Sequence, residues 1–245
     1  MNGASPMKIL ALEFSSPQRS VAVVQGNTLK GGHQAAPFGV HPLGCPPHAN
    51  SVSEVIETGA LATQALGMIE TALRQAQLER EQIECLAIGL GPGSYTGIRL
   101  AIALAQGWQL AAGAVRLLGM STVECLVAQG QAEGITGQVA AVIDAQRGEF
   151  YLAAYEISGA ARHEIAPLRL ASRDEVQRRS QAGELLIGPE VTRWFPNART
   201  LFPRAAMLGQ LALGRNDFQA AETLQPIYLR ETKFVKAPKL RIPIS

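Results

Sequence analysis

Near the N-terminus the chain is apolar twice in short runs, at residues 9–12 and 21–24, with Ser15-Ser16-Pro17-Gln18 between them. Short apolar runs around a cluster of turn-forming residues predict a β-hairpin over residues 8–14 and 19–25. The period then changes. Between residues 56 and 78, Leu61, Ala65, Leu66, Ile69, Ala72, Leu73 and Ala76 recur at helical spacing, while Gln64, Glu70, Arg74 and Gln77 fall elsewhere, which predicts one amphipathic helix. Residues 85–90 read as a short strand, 91–97 as a Gly-rich turn, and 98–112 as a helix apolar nearly all round and therefore buried.

The second half repeats this vocabulary. A helix follows Ser121, strands occupy 138–144 and 149–156, and Asp144-Ala-Gln-Arg-Gly148 connects them. Beyond about residue 168 the pattern weakens to a helix near 172–180, a strand at 184–187 and helical stretches near Arg193 and over 205–213. Strands separated by helices, with a hairpin opening each half, predict an α/β fold of two lobes joined near residues 113–119. Residues 36–51 hold Pro37, Gly39, Pro42, Gly44, Pro46 and Pro47 and predict an irregular loop, because proline removes donors and fixes φ.

Composition narrows the classes. With 47% hydrophobic and 17% charged residues the chain is globular rather than disordered. A net charge of +2 from 22 basic and 20 acidic residues, without a block of one sign, announces no nucleic-acid tail. Aromatics make up only 5%, so no ladder for stacking single-stranded bases is present and the chain is not expected to grip RNA alone. Cys45, Cys85 and Cys125 have no C-x-x-C spacing, which argues against a disulfide framework or thiolate zinc site. No signal-peptide core opens the chain, and residues 100–115, bracketed by Arg99 and Arg116 and holding Gln106 and Gln109, are too short and polar to span a bilayer. The expected location is the cytoplasm.

Candidate chemistry concentrates at Gly89-Leu-Gly-Pro-Gly-Ser-Tyr-Thr-Gly-Ile-Arg99, where a strand gives way to a helix. Gly91, Gly93, Ser94, Thr96, Gly97 and Arg99 admit two readings. Backbone N–H groups there could cradle a phosphate, or the glycines serve tight packing while Ser94 or Thr96 caps the helix. No Lys follows Gly97 as a Walker loop needs, Thr96 breaks the dinucleotide fingerprint, and Pro92 and Thr96 break a nucleophile elbow around Ser94. His33, His41, His48 and His163 form no H-x-x-x-H pair, so no metal site is expected. Asp144, Arg147 and Glu149 make either a ligand contact or a solvated hairpin held by local hydrogen bonds. The helix at 56–78 packs on the sheet or offers Leu61, Ala65, Leu66, Ile69 and Leu73 to a partner.

Ile9-Leu-Ala-Leu-Glu-Phe-Ser-Ser16, Ser20-Val-Ala-Val23 and the Gly89–Leu100 segment together resemble the TsaB family, also called YeaZ. The resemblance continues through Leu118-Gly-Met-Ser-Thr-Val-Glu-Cys-Leu126, Asp144-Ala-Gln-Arg-Gly-Glu-Phe-Tyr151 and Pro226-Ile-Tyr-Leu-Arg230. The related TsaD proteins share part of the glycine segment but carry a metal-binding histidine pair that this chain lacks. The resemblance implies two actin/Hsp70-like lobes, each a mixed sheet flanked by helices, at residues 1–115 and 116–245, with the C-terminal tail packing back on the first. It implies a non-catalytic subunit for making N6-threonylcarbamoyladenosine next to the tRNA anticodon, which binds and organises TsaD. The further partners are the ATPase TsaE and, when alone, a second copy; ATP or ADP and a metal belong to partner subunits, and contact with tRNA is indirect or unknown. Related proteins have been called M22 glycoproteases, but nothing here could activate a water or form an acyl intermediate.

Two departures stand out. Glu13 takes the place of the family's usual Asp, where an actin-like fold would hold a metal-orienting carboxylate, and the family's His-Ser-Glu has no counterpart near Leu61. Two other readings stay open: an actin-like kinase or ATPase using the loop at 91–97 with Glu13, and self-association as the end function.

Overall fold

A computed structural model describes residues 5–27, 50–59, 64–159 and 161–229, and among these described residues two sheets of five strands carry the fold. Leu61, Cys45, His33, His41, His48, the C-terminal tail from 230, and all but the last two positions of the loop expected at 36–51 lie outside those residues. β1 (Met7–Glu13) and β2 (Gln18–Gly26) form the expected hairpin, from Met7 opposite Gly26 to Glu13 opposite Ser20. β3 (Ser51–Thr58) pairs antiparallel with β2, while β4 (Cys85–Gly89) and β5 (Arg116–Met120) add in parallel beyond β1, giving the order β3-β2-β1-β4-β5.

The second sheet repeats this order. β6 (Gly137–Asp144) is central. β7 (Glu149–Ile157) pairs antiparallel with it and β8 (Arg162–Ser172) antiparallel with β7, while β9 (Leu185–Gly188) and β10 (Arg199–Thr200) lie in parallel on its other side. β1 and β6 are covered on both faces, which is why they read as continuous apolar runs rather than alternating ones. The α/β class, with two mixed sheets flanked by helices, is the one the sequence predicts.

Helices fill both faces of each sheet. α1 (Ala65–Ala76) and α2 (Tyr95–Ala112) cover one face of the first, burying Met68, Ile69, Ile98 and Ile102 against Leu10, Leu12 and Leu86. α3 (Thr122–Ala132) lies between the sheets: Cys125 and Ala128 join the first core, while Val123, Leu126 and Val127 join the second. α4 (Arg173–Gln181) covers the outer face of the second sheet through Val176. α5 (Ala205–Ala212) follows the second sheet in sequence yet packs on β1 and β2 of the first. Gly209 makes that approach possible, since a Cβ there would stand 2.6 Å from Val24 Cγ2.

Several expectations are corrected. Residues 56–58 end strand β3, so the helix expected from 56 begins only at Ala65. Val52, Val55 and Ile56 are β-branched and take up the ladder of β2 before any helix can start. The join expected at 113–119 falls inside the first sheet, because β5 is its edge strand and the chain crosses over only in α3. The helix expected to be buried all round is half exposed: α2 buries only Gly97, Ile98, Ala101, Ile102 and Ala105, and the helix enclosed on both sides is α3. Among the described residues no helix is long and apolar enough to cross a membrane.

Candidate functional site

Between β4 and α2 the glycine segment folds against the β1–β2 turn. Gly91 has φ +89°, and a Cβ on Gly97 would stand 2.0 Å from the Phe14 carbonyl oxygen, a separation no side chain survives. Ser94 N–H donates to the Ser15 carbonyl at 2.6 Å, the Gly91 carbonyl accepts from Thr122 N–H at 2.8 Å, and Ser94 Oγ caps α2 by accepting from Gly97 N–H at 3.4 Å. The Ser94 and Gly97 backbone donors that a phosphate would need are thus already engaged. Ser94 caps the helix as one reading expects; Thr96 is exposed in the first turn, and Arg99 bonds the Tyr95 hydroxyl through Nη1 at 2.6 Å.

Glu13 is not poised toward solvent. It is fully buried, with its carboxyl lying over Gly89, where a Cβ would meet Oε2 at 2.1 Å. Oε1 accepts from Ser15 N–H at 2.9 Å and Oε2 from the Thr122 hydroxyl at 3.4 Å. Burial raises its pKa above the usual 4.5, against those two hydrogen bonds, so the neutral acid is favoured. The structure therefore corrects the placement of Glu13 as a metal-orienting carboxylate: it ties β1 to the start of α3. Among the described residues no group of His, Cys, Asp or Glu could hold a metal ion.

A cleft of about 700 Å³ separates the lobes, lined by Ser15, Gly93 and Ser94 on one side and by Asp144, Gln146 and Glu190 on the other. Asp144 accepts from Gln146 N–H at 2.8 Å and from its side-chain amide at 3.2 Å. Gln146, Arg147 and Gly148 all have positive φ, and Ala145 N–H donates to the Glu149 carbonyl at 3.0 Å. Local hydrogen bonds thus hold this hairpin, while Arg147 lines a second, smaller hollow rather than the cleft.

The third feature is a groove of about 890 Å³ between α1 and α2. Leu66, Leu104, Trp108 and Val115 supply an apolar lining, and Arg80, Glu81, Glu84 and Arg116 a charged rim. Leu66 is 63% exposed, and Leu110, three residues on from Gly107 of the lining, is 90% exposed. Gln106 turns the other way along α2, its side-chain amide donating to the Ala221 carbonyl at 2.9 Å.

Of the positions expected to meet a partner, Ala65, Ile69 and Leu73 are corrected to core residues, because they face the first sheet; Leu66 stays exposed. A sequence reading that takes α2 as buried misses Leu104, Trp108 and Leu110. The available signal is the surplus of apolar residues in that helix, more than one sheet face can cover.

A family model described as "TsaD: tRNA N6-adenosine threonylcarbamoyltransferase" matches residues 59–218. The "tRNA threonylcarbamoyladenosine biosynthesis protein TsaB" of Escherichia coli (strain K12) is 30% identical over 150 residues, 61% of this chain and 55% of that protein. The protein of the same name from Bacillus subtilis (strain 168) is 25% identical over 108 residues, 43% of this chain and 45% of that one. The alignments with these curated relatives span about half of their length. The solved structure "YeaZ from Pseudomonas aeruginosa" superposes with a TM-score of 0.68 at 23% identity, over 91% of this chain and 100% of that one. At that identity the likeness carries the fold.

Proposed function

We propose, because the chain belongs to the TsaD family of tRNA N6-adenosine threonylcarbamoyltransferase, that it is a non-catalytic subunit of the machinery for tRNA threonylcarbamoyladenosine biosynthesis, the process named in its TsaB relatives. The observation that carries this reading is the apolar face of α1 and α2. Leu66 and Leu110 stand exposed beside a groove with a charged rim, the pattern of a docking surface rather than of a substrate pocket. A TsaD homologue is its occupant in this reading, TsaE joins the assembly, and nucleotide and metal chemistry belong to those partners.

The test is co-expression with the TsaD homologue of the same genome, followed by size-exclusion chromatography and an assay of tRNA modification. Wild-type chains should co-elute and support modification. Leu66→Asp and Leu110→Asp should weaken association at least about tenfold with an unchanged melting temperature, since both side chains already meet solvent. Co-elution of both variants at wild-type strength, or modification that proceeds without this chain, would refute the reading.

A further inference from the structure

In the second half of the chain, Arg169, Arg179, Arg199, Arg204 and Arg215 each pair with a carboxylate. Arg147, Arg173 and Arg193 have no such pair among the described residues, and all three line one surface hollow of about 330 Å³ on the second lobe. They come from three separate elements: the β6–β7 hairpin, the first turn of α4, and the 3₁₀ turn at Val191–Arg193. One carboxylate, Asp144, shares the lining, and its oxygens already accept from Gln146. Nearby, Glu175 is bound by Arg169, and Asp174 lies outside the lining. The three guanidinium groups outnumber the one carboxylate of the hollow, so the lining keeps a net positive charge that an anion bound there would offset.

Trp194 supplies the second clue. It lines the same hollow, the Arg193 guanidinium lies 5.3 Å from its ring centroid, and Phe150 braces it edge-on at 5.4 Å. An aromatic side chain lining the same hollow as three guanidinium groups suits a nucleotide unit, whose base stacks while its phosphate is held. We propose that Arg147, Arg173, Arg193 and Trp194 form a phosphodiester-binding subsite for RNA. The choice of RNA rests on the proposed role in tRNA modification; the anion site itself does not.

The test measures binding of unmodified tRNA to the full-length chain, and to its assembly with the TsaD homologue, across a range of salt concentrations. Replacing all three arginines (Arg147→Ala, Arg173→Ala and Arg193→Ala) should weaken binding at least about tenfold and flatten the dependence of log affinity on log salt by about two to three phosphate contacts. Lysine at the same positions should restore most of the salt dependence. The melting temperature should hold, since the three side chains are exposed. Unchanged affinity and slope in the alanine variant would overturn the proposal. A variant that loses inorganic phosphate or ATP binding but keeps wild-type tRNA affinity would overturn the assignment to RNA. Loss of tRNA binding through these substitutions in a chain that fails to co-elute with the TsaD homologue would sustain the subsite while refuting the docking reading.

Discussion

The Glu13 side chain passes over Gly89 to reach the Thr122 hydroxyl, and the absence of a Cβ at Gly89 is what leaves room for it. Below its ordinary pKa of 4.5 this group is neutral in both folded and unfolded chains. As pH rises the unfolded chain ionises first, so stability present below that value is lost until the buried acid also gives up its proton. Melting temperature measured between about pH 4 and pH 7 should therefore fall in the wild type relative to Glu13→Gln, whose side chain does not titrate; parallel pH profiles would show that Glu13 ionises freely. The carboxylate at the end of β1 is legible in the sequence but its direction is not, because direction depends on Gly89 and Thr122, far away in the chain. The packing role of Gly97 is legible, since a glycine just inside a helix invites an explanation by close approach.

At the level of elements, the central strands and the hairpins are legible because burial on both faces writes an unbroken apolar run. Edge strands are not. β8 carries Pro167, Arg162 and His163, and β3 mixes Ser51, Ser53, Glu54 and Glu57 with its apolar residues, since each strand has a neighbour on one side only. One polar residue of β3 has a defined task. Glu54 accepts from Arg204 Nε at 3.1 and 3.2 Å and from Ala206 N–H at 3.0 Å, fixing the start of α5 against the sheet. Glu54→Ala should cost ~2 kcal/mol, because these hydrogen bonds involve a mostly buried charge. For a chain of this size that is a fall of about 4–8 °C in melting temperature, measured by calorimetry; a change under about 1 °C would mean that α5 docks by apolar contact alone.

For the whole molecule, the duplicated strand order places the cleft between lobes and leaves the α1–α2 face turned outward. A free chain with such a face should cover it with a second copy. Light scattering at micromolar concentration should find a dimer that Leu110→Asp converts to monomer and that the TsaD homologue displaces; a wild-type monomer would show that the face tolerates water. The outward turn of α2 is hidden in the sequence, because an apolar helix looks the same whether its own fold or another protein covers it. The position of α5 has a consequence for synthesis. While the ribosome is still making the second sheet, Ile9, Ala11, Ala22 and Val24 lack the cover that Met207, Leu208 and Leu211 will bring. The lobe that emerges first is thus completed last, and the nascent chain carries an open apolar sheet face for most of its translation, a natural client surface for a chaperone.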